Sequence, residues 1–174
     1  MSTRRAYQIG IDLGGTKIES VLFDPQGAEL LRDRVPTPAG TRDDHQAIVE
    51  RISQQVTAAA GQIPVGETYT IGVCIPGILD ADTGLVQNAN TTSLIGHPFK
   101  AELEERLGHP VGMENDANCF TLAEALRGAG KGYGLVFGII MGTGCGGGIC
   151  HEGRLHDGRH GIAGEWGHFS IDPR

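Results

Sequence analysis

IGIDLGGTKIES, residues 9–20, is the stretch that decides the fold of this chain. Apolar residues alternate with polar or small residues on both sides of Gly-Gly-Thr, which is typical of two strands joined as a hairpin. A dinucleotide-binding fingerprint needs a helix directly after its glycines, and a Walker loop needs G-x-x-x-x-G-K-[ST]; this stretch has neither pattern. The sequence therefore predicts a β-hairpin with a glycine-rich turn at residues 14–16.

The segments that follow predict an α/β domain. Residues 28–38 read as a third antiparallel strand, and a helix that Gly61 ends is expected to bury one face, formed by Ile48, Ile52, Val56 and Ala60. A buried strand over 68–77 and a helix over 99–108 come next. The strand PVGMEND then leads into a second helix, and we expect that helix to pack through Cys119, Leu122, Ala123 and Leu126.

After residue 130 the opening pattern repeats. GYGLVFGIIMG, residues 132–142, predicts a buried strand, and TGCGGG, residues 143–148, predicts its turn. We therefore expect an N-terminal α/β lobe over residues 1–117, with a mixed sheet and helices, and the beginning of a second, similar lobe over 118–174.

The two glycine-rich turns indicate a nucleotide site. Backbone amides of Gly14, Gly15 and Thr16 can approach phosphate oxygens closely, and Asp12 at the strand end can orient Mg²⁺ through water. MGTGCGGGIC repeats the design, which favours a nucleotide held in a cleft between duplicated lobes. A plain hairpin turn is the alternative at each site.

ENDAN, residues 114–118, carries the best candidate for a general base. An ionised Asp116 can accept a hydroxyl proton, and Asn115 can both donate to and accept from a polyol. The alternative is that Asp116 caps the following helix, unless Asn115 caps it instead. Asn88 and Asn90 add loop amides that suit a sugar or, alternatively, a turn.

GEWGH, residues 164–168, places Glu165 and His168 at a spacing that suits a ligand or metal site. In a helical turn the two side chains share one face. The alternative is a glycine-punctuated loop with a buried Trp166.

Composition narrows the class of protein. The formal net charge is −7 and there is no basic block, so nucleic acid is not an expected partner. The four cysteines form no C-x-x-C pair and favour reduced thiols in a cytoplasmic protein. No eighteen apolar residues run together, so we expect no membrane partner.

Six motifs in order, IGIDLGGTKIES, GVCIPGILD, GLVQNANTT, ENDANC, GTGCGGG and AGEWGH, resemble those of the ROK family of sugar kinases and sugar-responsive repressors, most closely its fructokinase/mannokinase-type members. The resemblance spans residues 8–168 and implies actin-like (ribonuclease H-like) lobes. It also implies ATP- and Mg²⁺-dependent phosphorylation of a hexose hydroxyl, with Asp116 as the general base. The alternatives are a glucose or N-acetylamino-sugar kinase or a transcriptional regulator of the same family, and a non-catalytic sugar-binding or actin-like assembly protein.

The resemblance also assigns residues to ligands. The sugar is contacted, or its pocket shaped, by Gly77, Asn90, Asn115, Asp116, Glu165 and His168. The nucleotide is bound by Gly10, Asp12, Gly14, Gly15, Thr16, Lys17, Gly142, Thr143, Gly144 and Gly146. His168 is also implied to be the first ligand of a structural Zn²⁺, whose further ligands form a stretch C-x-C-G-x-x-G-C that these 174 residues lack. We therefore expect an N-terminal portion of a longer protein that is a homodimer when full length and inactive as this portion alone.

Overall fold

The computed structural model describes residues 6–39, 44–142, 144–159 and 161–168, and of His168 it describes the backbone alone. In chain order the elements are β1 (Tyr7–Leu13), β2 (Lys17–Phe23), β3 (Glu29–Pro36), α1 (Asp44–Ala60), β4 (Tyr69–Ile75), β5 (Ile78–Leu79), β6 (Val86–Gln87), α2 (Phe99–Leu107), β7 (Val111–Asn115), α3 (Asp116–Arg127), β8 (Leu135–Met141), β9 (Cys145–His151) and β10 (Arg154–Leu155). Short 3₁₀ turns lie at Thr92–Leu94 and Trp166–His168.

The chain forms two compact units. The first comprises the residues up to Leu79 together with Thr83–Glu114, and the second comprises Asp80–Asp82 and the residues from Asn115 onward. The contacts therefore divide the chain three residues before the predicted boundary of 117/118. That the second unit begins a lobe similar to the first stays a prediction.

The first unit is built on a five-stranded mixed sheet in the order β3-β2-β1-β4-β7. β1 pairs antiparallel with β2, and β2 pairs antiparallel with β3, which confirms the predicted meander. β4 pairs parallel with β1 on the other side, and this return requires a crossover, which contains α1. The α/β class with a mixed sheet is thus confirmed.

Alternation along β1 sets the two faces of this sheet. Ile9, Ile11 and Leu13 are each at most 2 % exposed and enter the core. Because successive side chains point to opposite faces of a strand, Asp12 lies on the other face, where it is exposed. The predicted helix face is largely confirmed: Ile48, Ile52 and Val56 are buried, and Ala60 at the end of α1 is half-buried.

In the second unit, β8, β9 and β10 form an antiparallel sheet. The expectation that β8 is a buried strand is wrong, because one of its faces is open: the exposed side chains are Leu135, Phe137, Ile139 and Met141. TGCGGG is also not simply a turn, since β9 begins at Cys145 and the glycines at 146–148 lie within the strand.

α3 buries a different face from the predicted one. Its buried residues are Ala117, Asn118 and Thr121. On the expected face, Leu126 is 49 % exposed. The glycines of the sheet explain the difference: an alanine Cβ at 148 would lie 2.7 Å from both Asn118 Oδ1 and Thr121 Oγ1, so small polar residues approach the sheet backbone closely here. The apolar stripe read from the sequence therefore does not mark the packed face.

All four cysteines are free thiols. Cys150 is buried and Cys145 is exposed, while Cys74 and Cys119 are half-buried. Within the described ranges, no helix combines the length and the apolar character that crossing a bilayer demands. The predicted cytoplasmic location stays a prediction.

Candidate functional site

A row of charged residues crosses the exposed face of the first unit's sheet. Asp12 on β1 lies directly opposite Glu19 on β2, and Glu19 lies opposite Arg34 on β3. The Glu19 carboxylate accepts hydrogen bonds from the guanidinium groups of Arg34 and Arg32. Glu19 is therefore neutralised by arginine, and Asp12 stands at the end of the row, next to the glycine-rich turn.

The two carboxyl groups of this row are shifted in opposite directions. Although Asp12 is exposed, the surrounding chain restricts its hydration; this desolvation, followed by the negative charge of Glu19, raises the pKa of the Asp12 carboxyl above its ordinary value. The hydrogen bond from Arg34 is the main cause that lowers the pKa of Glu19. A cation bound near Asp12 would relieve the first shift, so the position suits a metal or its water ligands.

The turn between β1 and β2 is fixed by backbone and side-chain hydrogen bonds. The Gly14 amide donates to the Lys17 carbonyl at 2.9 Å, and the Thr37 hydroxyl donates to the Gly14 carbonyl at 2.7 Å. The Thr37 amide donates to the Thr16 carbonyl at 3.0 Å. The turn itself uses the Gly14 amide as a donor, so the amides of Gly15 and Thr16 are the better candidates to face a phosphate; the nucleotide role of all three residues stays a prediction.

Thr91, which the sequence analysis does not select, faces this turn. Its hydroxyl is buried and has no hydrogen-bond partner among the described residues. The same oxygen lies 3.9 Å from the point where a Cβ on Gly15 would stand. A buried hydroxyl that lacks a partner is costly unless something binds it, so the turn and Thr91 together fit an oxygen-rich group such as a phosphate. Thr91 lies in the motif NANTT, from which only the asparagines were selected as candidate ligands.

Two predicted sugar residues come together in the first unit. The Asn90 amide donates to the Pro76 carbonyl at 2.9 Å, which ties its loop to the turn that contains Gly77. A Cβ on Gly77 would lie 2.7 Å from Ala89 Cβ and 2.9 Å from the Gln87 carbonyl oxygen. Gly77 is thus required for the close approach of two loops, and it shapes the position of Asn90.

Asn115, not Asp116, caps α3. The Asn115 Oδ1 accepts from the amides of Ala117 at 2.9 Å and Asn118 at 3.2 Å. Asp116 occupies the first helical position, where its Oδ1 accepts from the Ala117 amide at 2.8 Å. Of the two alternatives, capping by Asn115 is confirmed. The helix therefore does not depend on the Asp116 carboxylate for its cap, and the positive end of the helix favours that carboxylate's charge.

Glu165 also lies in the second unit, beside the start of α3. Its carboxylate oxygens lie 3.3 and 3.6 Å from the point where a Cβ on Gly146 would stand, and Ala117 Cβ lies 3.5 Å from the same point. The Trp166 indole donates to the Gly146 carbonyl at 2.8 Å, which fixes the segment that carries Glu165. The structure brings Glu165 and Asp116 to the same end of α3. The space beside the Gly146 Cα is filled by Glu165 and Ala117, and the cofactor role of Gly146 stays a prediction.

The remaining predicted nucleotide residues are less constrained. At Gly142 and Gly144 an added Cβ would meet no heavy atom within 4 Å among the described residues, but the Gly142 amide donates to the Gly144 carbonyl at 2.8 Å, so the turn itself uses this donor and the nucleotide role of both residues stays a prediction. Gly10 lies on β1 and Lys17 is exposed at the start of β2. Thr143 and the side chain of His168 lie outside the described residues, so the sugar and zinc roles of His168 stay predictions.

Three comparisons place this geometry among known proteins. The ROK family profile matches residues 8–174. An N-acetyl-D-glucosamine kinase of Vibrio cholerae is 43% identical over 162 residues, which cover 93% of this chain and 52% of that protein. Among solved structures, a ROK family glucokinase from Streptomyces griseus in complex with glucose and AMPPNP has a TM-score of 0.82 at 35% identity, covering 97% of this chain and 52% of that one. An inorganic polyphosphate/ATP-glucomannokinase from Arthrobacter sp. strain KM has a TM-score of 0.77 at 36% identity, covering 96% of this chain and 65% of that one.

These likenesses confirm the predicted fold, an α/β lobe of the actin-like (ribonuclease H-like) type. The chain spans about half the length of the curated relatives that it matches.

Proposed function

The chain belongs to the ROK family, and from that premise we propose that the protein transfers the γ-phosphoryl group of MgATP to a hydroxyl of a hexose. The observation that carries the proposal is that two different residues, Asn115 and Asp116, provide the helix cap and the candidate base at the start of α3. Asn115 caps the helix, and Asp116 holds a carboxylate at the first helical position. A carboxylate so fixed can receive a proton without loss of the helix cap.

Asp116 is proposed as the general base. As the sugar oxygen forms its bond to the γ-phosphorus, the hydroxyl proton passes to the Asp116 carboxylate, and the bond to the β-phosphate oxygen breaks to release ADP. Little covalent chemistry is asked of the protein, so rate acceleration comes mainly from positioning and from stabilisation of charge.

Candidate nucleotide-binding residues are proposed in each unit separately. In the first unit these are Asp12, Lys17 and the turn at residues 14–16, with the unpartnered Thr91 hydroxyl beside that turn. In the second unit they are Gly142 and Gly144, where an added Cβ would meet no heavy atom within 4 Å among the described residues. Mg²⁺, when bound, supplies positive charge at the phosphate oxygens, and the raised pKa of Asp12 supports a place for it there.

The sugar is proposed to be bound by Gly77, Asn90, Asn115, Glu165 and His168. Because the Asn115 oxygen accepts the helix amides, the group that it would offer to a sugar hydroxyl is its amide NH₂. The Glu165 carboxylate would accept from a second hydroxyl.

The relatives' names favour one group of sugars. They name N-acetyl-D-glucosamine, glucose and a glucomannokinase, and the resemblance to fructokinase gains no support from them. We therefore propose glucose or N-acetylglucosamine as the substrate in place of the predicted fructose, whereas mannose, the other predicted sugar, keeps the support of the glucomannokinase alone. Zinc binding through His168 and a homodimer of the full-length protein are retained as proposals.

The test is an ADP-release assay of the full-length protein with glucose, N-acetylglucosamine, N-acetylmannosamine, mannose and fructose. Asp116→Asn should lower kcat by about 10²–10⁴-fold, the usual scale of general-base loss. Asp82→Asn makes the same change of charge in an exposed turn and should leave kcat unchanged. Near wild-type turnover of Asp116→Asn would refute the role of Asp116. Sugar binding without turnover of any hexose would refute the kinase and favour the family's sugar-responsive regulators.

A further inference from the structure

Two histidines and a glutamate meet in the first unit, away from the residues assigned above. His45 lies in the first turn of α1, His97 lies in the loop before α2, and Glu102 lies in the first turn of α2. One ligand atom from each side chain lies within 4.8 Å of the other two. All three residues are partly buried, which distinguishes them from a solvated surface cluster.

The Glu102 carboxylate is not hydrogen-bonded to either histidine. The Oε2 of Glu102 is buried and has no hydrogen-bond partner among the described residues. Its other oxygen, Oε1, lies 3.9 Å from His45 Nε2, which is beyond hydrogen-bonding distance. A buried carboxylate oxygen without a partner is costly, and the positive charge of a cation would offset that cost.

The backbone around the cluster is well fixed. The His97 amide donates to the Leu94 carbonyl at 3.1 Å, and the His97 carbonyl accepts from the Val86 amide at 3.1 Å. The Glu102 amide donates to the Pro98 carbonyl at 3.0 Å. An ion pair between Arg106 of α2 and Glu50 of α1 joins the two helices further along. The three ligands thus project from fixed positions.

We propose that His45, His97 and Glu102 form a zinc-binding site that ties the start of α1 to the loop and to α2. Imidazole and carboxylate are ordinary zinc ligands, and three protein ligands leave the fourth tetrahedral position to water. The three ligands include neither His168 nor any residue assigned to the proposed phosphoryl transfer.

Rotation of the two imidazole rings is required to form the site. Zinc ligands in a tetrahedron lie about 3.4 Å apart, given zinc–ligand distances near 2.1 Å, so the 3.9 Å between His45 Nε2 and Glu102 Oε1 must shorten slightly. The His45 and His97 rings are stacked with centroids 3.7 Å apart, and because a bound ion lies in the plane of each imidazole, the rings must rotate out of the stack and separate to about 5 Å between centroids before both bind one ion. The exposed Gln46 amide lies 3.0 Å from His45 Nε2 and is displaced.

The test measures zinc on the full-length protein by equilibrium dialysis with metal analysis, together with thermal melting with and without Zn²⁺. The wild type should bind one more equivalent of zinc than His97→Ala or Glu102→Gln. Because the full-length protein is expected to be about twice as long as this chain, zinc at one hundred times Kd should raise the melting temperature of the wild type by roughly 3–5 °C, and that of either variant by markedly less. Comparison of stoichiometries removes the contribution of any zinc bound elsewhere.

The matched control is His109→Ala. His109 lies in the same unit but stacks on Tyr69, with centroids 4.5 Å apart, and takes no part in the cluster. It should keep the wild-type stoichiometry. Melting in a chelator shows that the variants fold without metal. Equal zinc content and equal stabilisation in the wild type, His97→Ala and Glu102→Gln would overturn the proposal.

Discussion

Replacement of Gly77 by alanine tests whether the turn after β4 and the loop that carries Asn90 need their close approach. The added Cβ would lie 2.7 Å from Ala89 Cβ, 2.9 Å from Ala89 Cα and 2.9 Å from the Gln87 carbonyl oxygen. Nonbonded carbon atoms prefer separations of about 3.5–4.0 Å. Two of the three neighbours are backbone atoms, so no rotation of a side chain relieves the overlap.

The magnitude follows from this overlap. One methyl group forced into a filled space typically destabilises a protein by about 1–3 kcal/mol. For a chain of this size each kcal/mol lowers the melting temperature by roughly 2–4 °C, so Gly77→Ala should lower it by about 2–12 °C. Because the shift moves the loop that holds Asn90, the KM for the sugar should rise in the full-length enzyme.

Gly72→Ala is the matched control. An added Cβ at Gly72 on β4 would meet no heavy atom within 4 Å among the described residues. Alanine there should be neutral or stabilise by up to about 1 kcal/mol, because it restricts the unfolded chain. Melting of the two variants side by side, followed by circular dichroism, checks the prediction. Equal melting temperatures for Gly77→Ala and Gly72→Ala would refute the packing argument.

Three further predictions concern Thr91 and the charged residues Asp12 and Glu19. Thr91→Val should leave the melting temperature unchanged or higher, because it removes a buried hydroxyl that has no partner among the described residues, and it should raise the KM for MgATP. The exposed Thr92→Val should change neither quantity. An unchanged KM for Thr91→Val would show that Thr91 does not contact the nucleotide. Because the pKa of Asp12 is raised, its contribution to stability is present below its ordinary pKa of 3.8 and is lost as the pH rises through the raised value. Asp12→Asn should therefore be more stable than the wild type at neutral pH, and this gain should vanish in acid. The pKa of Glu19 is lowered, so its contribution to stability is present above 4.5 and is lost as the pH falls, and Glu19→Gln should be less stable than the wild type at neutral pH. Urea unfolding at several pH values measures the stability of both variants. A gain for Asp12→Asn that persists in acid would contradict the Asp12 prediction.

Local patterns in the sequence determined much of the first unit. Period-two alternation through Ile9, Ile11 and Leu13 predicted the strand, and the structure buries these three side chains because a strand's geometry assigns faces residue by residue. The spacing of Ile48, Ile52 and Val56 did the same for α1. The alternative caps of α3 were also visible locally, since capping involves neighbours in sequence.

In the second unit, the sequence pattern misled where backbone packs on backbone. The glycines at 146–148 were predicted to form a turn, but they lie in β9 and allow α3 and the segment around Trp166 to approach closely; the nucleotide role of Gly146 stays a prediction. The apolar side of α3 was likewise predicted from its own residues. Its true packed face, through Asn118 and Thr121, depends on the glycines of a strand that lies later in the chain.

The sequence by itself determined the mixed α/β class, the hairpin with its glycine-rich turn, and the family to which the motifs point. Only the tertiary structure decided which residues share a neighbourhood: Thr91 beside Gly15, Gly77 against Ala89, and His45 with His97 and Glu102. The physical reason is that strands and helices follow from short-range periodicity, whereas these groups are distant in sequence and meet only because the sheet and its helices pack in one particular way.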